Sequence, residues 1–384
     1  MTATRPKTLM LCSELEDYSI AFANGVAQHA DVILGVPRRR YERLAEWVAP
    51  EVDLRLLEWP RHRSLTNPRF LVELVRLVRR ESPDIVHLLS HTNLWLNLAP
   101  PFWGDVPLVT TVHDVTIHPG DRETRVVPEW SSTWSVRQSA HVVVHGEGLR
   151  RRAIERFRLP GDRVHVLAHP AIPRYAEIAR RRGLVRRADG PFNVLMFGRI
   201  YAYKGLELLI RAEAMLGARA PGLRLTIAGR GDDPWALRAL MGDPGRYDVR
   251  RGFIDDVETA QLFLDADVVA LPYVEASQSG VLNVAAAFGR PVVATDVGEI
   301  GATVIDAGIG AVTPPGDPAA LANALDLLAS QPSMVAELGA RALAWAEGPN
   351  APASVGATAL DLYRAILARP LAATAPLGRT VAPR

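Results

Sequence analysis

The sequence predicts an α/β protein built from two doubly wound, Rossmann-like parallel sheets. Three observations carry that expectation. Short apolar runs that read as strands alternate with segments of helical spacing. The alternation breaks once, at an arginine-rich segment from Arg174 to Arg187 that closes on Asp189-Gly190-Pro191, and then restarts. The length of 384 residues exceeds one ordinary core and suits two domains. Residues 1–187 are then an N-terminal Rossmann-like domain, and 191–350 a C-terminal one. Residues 351–384 add C-terminal helices and a loose Pro/Ala-rich tail, with a return to the first domain left open.

Taken in order, Thr8–Cys12 reads as the first strand, Ser13–Ser19 as a polar loop and Ile20–His29 as a helix. Val32–Val36 is a second strand, followed by a basic, aromatic stretch from Arg38 to Arg63 with Tyr41, Trp47 and Trp59. Phe70–Arg80 has helical spacing, and strands follow at Asp84–Leu89, Leu108–Val112, Val142–Val144 and Val164–Leu167. Polar residues stand after most of these strands: Ser13, Ser90, His91, His113, Asp114, His145 and His169. That edge of an open α/β sheet is where ligands bind. In the second half, strands are expected at Val194–Phe197, Leu223–Ala228, Val268–Leu271, Val292–Ala294 and around Ala311–Val312. Helices are expected at Leu206–Leu216, Val257–Leu264 and Leu282–Phe288.

Composition excludes several classes. Apolar residues at 48% and charged residues at 22% describe a globular chain, and a net charge of +2 gives no general pull toward nucleic acid. One cysteine, Cys12, forms no internal disulfide and fits a reducing cytoplasm. There is no bilayer-length apolar run and no signal-peptide pattern, so the expected location is cytoplasmic. The Arg38–Arg63 stretch could meet anionic headgroups at the inner membrane face, or be an exposed helix and loop.

Chemistry concentrates in Phe192–Leu209. An apolar strand ends at Gly198, Arg199 and Lys204 follow in a short connection, and a helix begins after Gly205. A guanidinium, an ammonium and a helix N-terminus within one turn suit an anion, and diphosphate fits best. No D-x-D cluster stands at a strand end to hold a divalent cation, and Asp255-Asp256 reads as a helix cap. No metal or other cofactor is expected.

Several segments taken together resemble the retaining glycosyltransferases of the GT-B fold, family 4. Gly198-Arg199 with Lys204-Gly205 is similar to G-R-x-x-x-x-K-G, and Ile227-Ala228-Gly229-Arg230-Gly231 to I-x-G-x-G. Arg251-Gly252-Phe253-Ile254 resembles the segment beside the nucleotide base, and Asp265-Ala266-Asp267-Val268 before Leu271-Pro272 resembles A-D-V-x-x-x-P. Gly289-Arg290-Pro291-Val292-Val293-Ala294-Thr295 matches G-x-P-V-V-A-T. Pro83-Asp84-Ile85-Val86-His87 and Thr111-Val112-His113-Asp114 resemble P-D-I-V-H and V-H-D.

The resemblance implies two domains facing across a cleft and a nucleotide-diphosphate sugar as donor. It places Arg199 and Lys204 on the diphosphate and His113 on the sugar, and retention by front-face attack. Gly198, Gly229, Gly252, Phe253, Ile254, Ser277, Ser279, Gly280 and Val281 fall on the donor side. One departure stands out: the family's E-x7-E pair falls, counting back from Pro291, on Ala276 and Val284. Glu275 and Asn283 keep the spacing one residue earlier, so a shift by one remains open. The acceptor is a glycan, a lipid-linked glycan or a small-molecule glycoside. The acidic loop with Glu14, Glu16 and Asp17 suits a hydroxylated or cationic one, with Ser13, Asp114 and His118 on the acceptor side. The expected function is glycosyl transfer; the alternative is a non-catalytic nucleotide-sugar-binding subunit.

Overall fold

The computed structural model describes residues 5–116, 128–187 and 190–368. His118 and the tail from Pro370 lie outside the described residues. The first sheet has seven strands: β1 Lys7–Leu11, β2 Asp31–Pro37, β3 Val52–Leu57, β4 Ile85–Leu88, β5 Leu108–Thr111, β6 His141–Val144 and β7 Val164–Val166. They are parallel, in the order β3-β2-β1-β4-β5-β6-β7. The second has six: β8 Phe192–Phe197, β9 Leu223–Gly229, β10 Tyr247–Arg251, β11 Val268–Leu271, β12 Val292–Thr295 and β13 Gly310–Thr313. They are also parallel, in the order β10-β9-β8-β11-β12-β13. The order reverses between β1 and β4 in one sheet and between β8 and β11 in the other. A doubly wound sheet opens its ligand crevice at such a switch point.

Central strands such as β4, β5, β11 and β12 are buried along their whole length and mostly apolar, because helices cover both faces. Met10, Leu34, Val109 and Val143 lie in one core cluster, with Leu195, Val269 and Ala294 in another. Two strands went unread in the sequence, β3 and β10. Both are edge strands whose exposed side carries charge, as in Asp53 and Arg55, so neither shows a continuous apolar run.

The chain crosses between the sheets ahead of the arginine-rich segment expected to be the linker. Ala171 N donates to Asn350 O at 2.9 Å, and Ile172 N to Asn283 O at 3.3 Å. Both side chains belong to the second core. Arg174–Arg182 is a helix, and beyond it Arg187 N bonds Asp265 Oδ1 while Arg186 pairs with Asp267. The arginine run is therefore tied to the second domain by carboxylates. The return crossing follows Asn350, and the single helix Pro352–Ala368 packs on helix Glu16–Ala27 of the first domain. The two helices touch backbone to backbone: a Cβ on Gly25 would collide with Pro352 O, and one on Gly356 with Gly25. Tyr363 is fully buried there and its hydroxyl lies 2.7 Å from His87 Nδ1.

Candidate active site

The turn after β8 is shaped by close backbone approach. Gly198 has φ 109, and a Cβ on Gly229 would strike Gly198 O, so two glycines let the ends of β8 and β9 meet. Ile200 N donates to Arg230 O at 2.7 Å and Asp232 N to Ile200 O at 2.7 Å, fixing Arg199 between two pinned residues. Lys204 ends a short 3-10 turn, and Gly205 follows at φ 72 against Pro272 O. The Lys204 ammonium stands 3.7 Å from the Tyr273 ring centroid and 5.1 Å from that of Tyr203. Two aromatic faces hold it without neutralising it.

The helix Gly280–Ala287 begins beside this turn; a Cβ on Gly198 would lie 3.7 Å from Val281 Cγ2. Ser279 occupies the N-cap position, but its side chain does not cap the helix and its Oγ lies 3.1 Å from Tyr273 OH. The first-turn amides thus keep their anion-binding capacity. Ser277 is buried, with its carbonyl accepting from Glu299 N at 2.9 Å. Glu275 is half-buried just ahead.

Asn283 is turned toward the chain crossing. Its Oδ1 accepts from Asn350 Nδ2 at 2.9 Å, and its Nδ2 lies 3.1 Å from His169 Nδ1. Helical rotation from Val281 turns it to the chain crossing rather than to the diphosphate turn. Ala276 and Val284, the counted-back glutamate positions, are buried in the apolar core.

The opposite wall holds a histidine group. His113, just after β5, is 9% exposed, and its Nε2 donates to Leu89 O at 2.9 Å. A carbonyl only accepts, so the proton is on Nε2 and Nδ1 is an acceptor. That Nδ1 takes a hydrogen bond from Gln278 Nε2 at 2.8 Å, across the cleft. Burial, with His169 adding to it, pushes His113 down to about 3, so the ring is neutral. The Tyr18 ring contacts His113, His145 and His169, with centroids at 4.5, 5.4 and 4.9 Å. His145 Nδ1 donates to Leu167 O at 2.9 Å.

Glu299, after β12, reaches from the second domain to the first. Its Oε1 accepts from Leu149 N at 2.6 Å, in the first turn of helix Glu147–Phe157. Residues Gly146 and Gly148 leave room for the carboxylate, since a Cβ on either would collide with it. Neither Gln278 nor Glu299 was singled out in the sequence, because each acts through a contact far away in the chain. The strand-end rule did point to His145 and His169.

On the acceptor side, Ser13 and Asp114 sit half-buried after β1 and β5. The carboxylates of the acidic loop are engaged within the protein: Glu16 pairs with Arg40 at 2.6 Å, Asp17 with Arg174 at 2.6 Å, and Glu14 bonds Thr92. In the Arg38–Arg63 stretch, for which headgroup contact or an exposed helix and loop were both open, the aromatic side chains turn inward. Tyr41 and Trp59 are buried, and Trp47 lies under the Arg181 guanidinium at 4.5 Å. Gly252, Phe253 and Ile254 follow β10; Phe253 is 60% exposed, with the Arg43 guanidinium 5.7 Å from its ring centroid. Asp255 caps the next helix, accepting from Glu258 N at 2.8 Å. Among the described residues no group of His, Cys, Asp and Glu is placed to hold a metal ion, and no helix is long and apolar enough to cross a membrane.

Two facing parallel sheets, with a cation-bearing glycine turn at one switch point and strand-end histidines opposite, define a glycosyltransferase of the GT-B fold. Residues 16–171 match the family model described as Glycosyltransferase Family 4, and 191–331 match Glycosyl transferases group 1. The chain belongs to family 4 of the glycosyltransferases. It is 31% identical to a D-inositol 3-phosphate glycosyltransferase of Streptomyces scabiei over 73% of this chain and 68% of the relative. An alpha-D-kanosaminyltransferase of Streptomyces kanamyceticus is 29% identical over 68% and 71%. HepE of Anabaena, solved with UDP, superposes with a TM-score of 0.66 at 17% identity, over 94% of this chain and all (100%) of its own. The sucrose-phosphate synthase of Thermosynechococcus elongatus gives 0.68 at 19% identity, over 94% and 99%.

Proposed function

We propose that the protein transfers a sugar, with retention of configuration and without a metal, from a nucleotide-diphosphate sugar to a hydroxyl of a glycan or small-molecule acceptor. The observation that carries this reading is the meeting of the Gly198 turn with the uncapped start of helix Gly280–Ala287. In this reading Arg199, Lys204 and the first-turn amides together hold the diphosphate. As the bond from sugar C1 to the diphosphate breaks, negative charge grows on the leaving oxygens beside these groups. Positive charge grows on the ring, which faces the neutral His113. The acceptor oxygen attacks from the leaving-group face, and its proton passes to the departing phosphate. Retention itself rests on membership of the family.

The test is a screen of UDP-, GDP- and ADP-sugars with hydroxylated acceptors in excess EDTA. UDP-glucose goes first because a HepE structure contains it. A product with the donor's anomeric configuration by NMR supports the reading. Inverted product overturns retention. Activity abolished by EDTA and restored by magnesium or manganese overturns metal independence. Donor binding with neither transfer nor hydrolysis favours the non-catalytic binder, which the apolar residues at both glutamate positions make a real competitor.

A further inference from the structure

A cavity of about 80 Å³ lies between the domains, lined from the first by His145 and His169 and from the second by Gln278, Asn283, Glu299 and Asn350. Ser279, Leu282 and Asn283 line it at positions i, i+3 and i+4 of one helix start. Val281, which meets Gly198, lies on the opposite flank of that helix. The cavity is thus separate from the diphosphate turn, and Gln278 and Ser279 stand between the two.

Its two unpartnered polar atoms share one character. His145 Nδ1 is committed to Leu167 O, so Nε2 carries a lone pair, and that atom is buried without a partner. The amide of Gln278 is oriented by its bond to His113 Nδ1, which leaves Oε1 as the other buried atom without a partner. Both are hydrogen-bond acceptors. A buried acceptor left unsatisfied loses its hydration with nothing in return, so each such atom in a lined cavity calls for a donor. Glu299 adds a carboxylate, whose Oε1 also lies 4.0 Å from Arg152 NH2, at the outer limit of an ion pair. It also holds the amide of Leu149 at the start of helix Glu147–Phe157, where an anionic ligand would otherwise bind. The side chain of Trp345 on the cavity wall supplies an apolar face, suited to the C–H side of a saturated ring.

We infer that this cavity receives the hydroxyl- or amine-bearing edge of an uncharged or amine-bearing polyhydroxylated ring, and that it selects against phosphorylated acceptors. The inference rests on the glycosyltransferase reading, in which the ring is part of the acceptor.

Three matched probes test it by calorimetry or saturation-transfer NMR: D-glucosamine, D-glucose and D-glucose 6-phosphate. Glucosamine should bind tightest and the phosphate ester weakest. Glu299→Gln keeps an oxygen for the Leu149 amide and should weaken glucosamine about tenfold while changing glucose little. Gln278→Met, which removes the second acceptor, should weaken both. Binding of UDP, GDP and ADP to the same samples reports on the diphosphate turn separately. A phosphate ester that binds as well as the amine overturns the inference. So does an amine preference unchanged in Glu299→Gln, or nucleotide binding with no binding of either sugar. Loss of nucleotide binding in the wild-type protein would instead count against the proposed function.

Discussion

The side-chain amide of Gln278 donates to Nδ1 of His113 over 2.8 Å, joining the second domain to the first where the sugar would sit. The bond sets the imidazole plane from one side, and the Leu89 carbonyl, 2.9 Å from Nε2, sets it from the other. Gln278→Ala should therefore lower kcat about tenfold, the worth of one lost positioning hydrogen bond, with little change in the donor KM. His113→Ala, which removes the group facing the ring, should lower kcat about 10²-fold. Steady-state kinetics on both variants checks this. Wild-type kcat in Gln278→Ala would make the contact incidental.

Lys204→Ala and Arg199→Ala should each reduce turnover about 10²-fold or more, as for loss of a charge that stabilises the leaving diphosphate. Tyr273→Leu leaves the ammonium but removes the ring 3.7 Å beneath it. Its expected loss is smaller, about three- to tenfold, from misplacement of the cation. The ranking is the test: a Tyr273 variant as poor as the lysine variant would move the catalytic weight off Lys204.

Much of this arrangement was legible in the sequence, for identifiable reasons. Buried parallel strands declare themselves as apolar runs, and the helix Leu206–Leu216 was read to its ends because its apolar spacing is unbroken. The Gly198, Lys204 and Gly205 turn was visible because close backbone approach demands particular residue types. Edge strands β3 and β10 were not, since charge interrupts them. The domain crossing at Ala171–Ile172 was hidden for another reason. The arginine run behind it has a linker's composition, but its partners Asp265 and Asp267 lie far along the chain. Gln278 and Glu299 likewise acquire meaning only from the facing domain.

The register of the missing glutamate pair gives a stability prediction. Val284 is 5% exposed and packed in the core of the second domain. Restoring the family residue by Val284→Glu would bury a carboxylate among apolar neighbours without a prepared partner. We expect a loss of about 3–5 kcal/mol, read by denaturant titration, and no gain in nucleotide affinity. Tighter nucleotide binding at unchanged stability would show instead that a side chain at 284 reaches the nucleotide and not the apolar core.

Acid should destabilise the first domain through its buried imidazoles. Burial pushes His87 and His113 down to about 3 and His91 down to about 4, from an ordinary value near 6.5. Their folded pKa values are depressed, so above pH ~6.5 neither state binds these protons and no penalty applies. Below that, the unfolded chain takes up protons that the folded one refuses, and stability falls until about pH 3–4. The slope is about 1.4 kcal/mol per pH unit for each histidine fully protonated only when unfolded. Melting temperature against pH should drop steeply between 6 and 4, less so in His87→Gln. A flat profile over that window would contradict the neutral assignment of His113.

The last prediction concerns the joint between the domains. Arg174 is 8% exposed; its Nε donates to Asp17 Oδ1 at 2.6 Å and its NH1 to Asp256 Oδ2 at 2.7 Å. Tyr175 adds a hydrogen bond to Asp17 Oδ2 at 2.9 Å. Asp17 belongs to the first domain and Asp256 to the second, so one guanidinium closes the crevice beside the chain crossing. Asp17→Ala leaves Arg174 paired with Asp256 alone and removes the tie to the first domain. Breaking a buried pair costs about 3–5 kcal/mol, and less here because Asp17 is partly solvated. The expected consequence is a free protein displaced toward open forms, with a larger radius of gyration by solution scattering. A saturating nucleotide sugar, which binds groups on both walls, should compact it again. The apparent donor KM should rise by the factor that measures the lost closed population, about tenfold for 1.4 kcal/mol. Each piece can fail separately. An unchanged scattering curve with raised KM would locate the effect in the site and not in closure, and unchanged values of both would remove Arg174 from any part in domain closure.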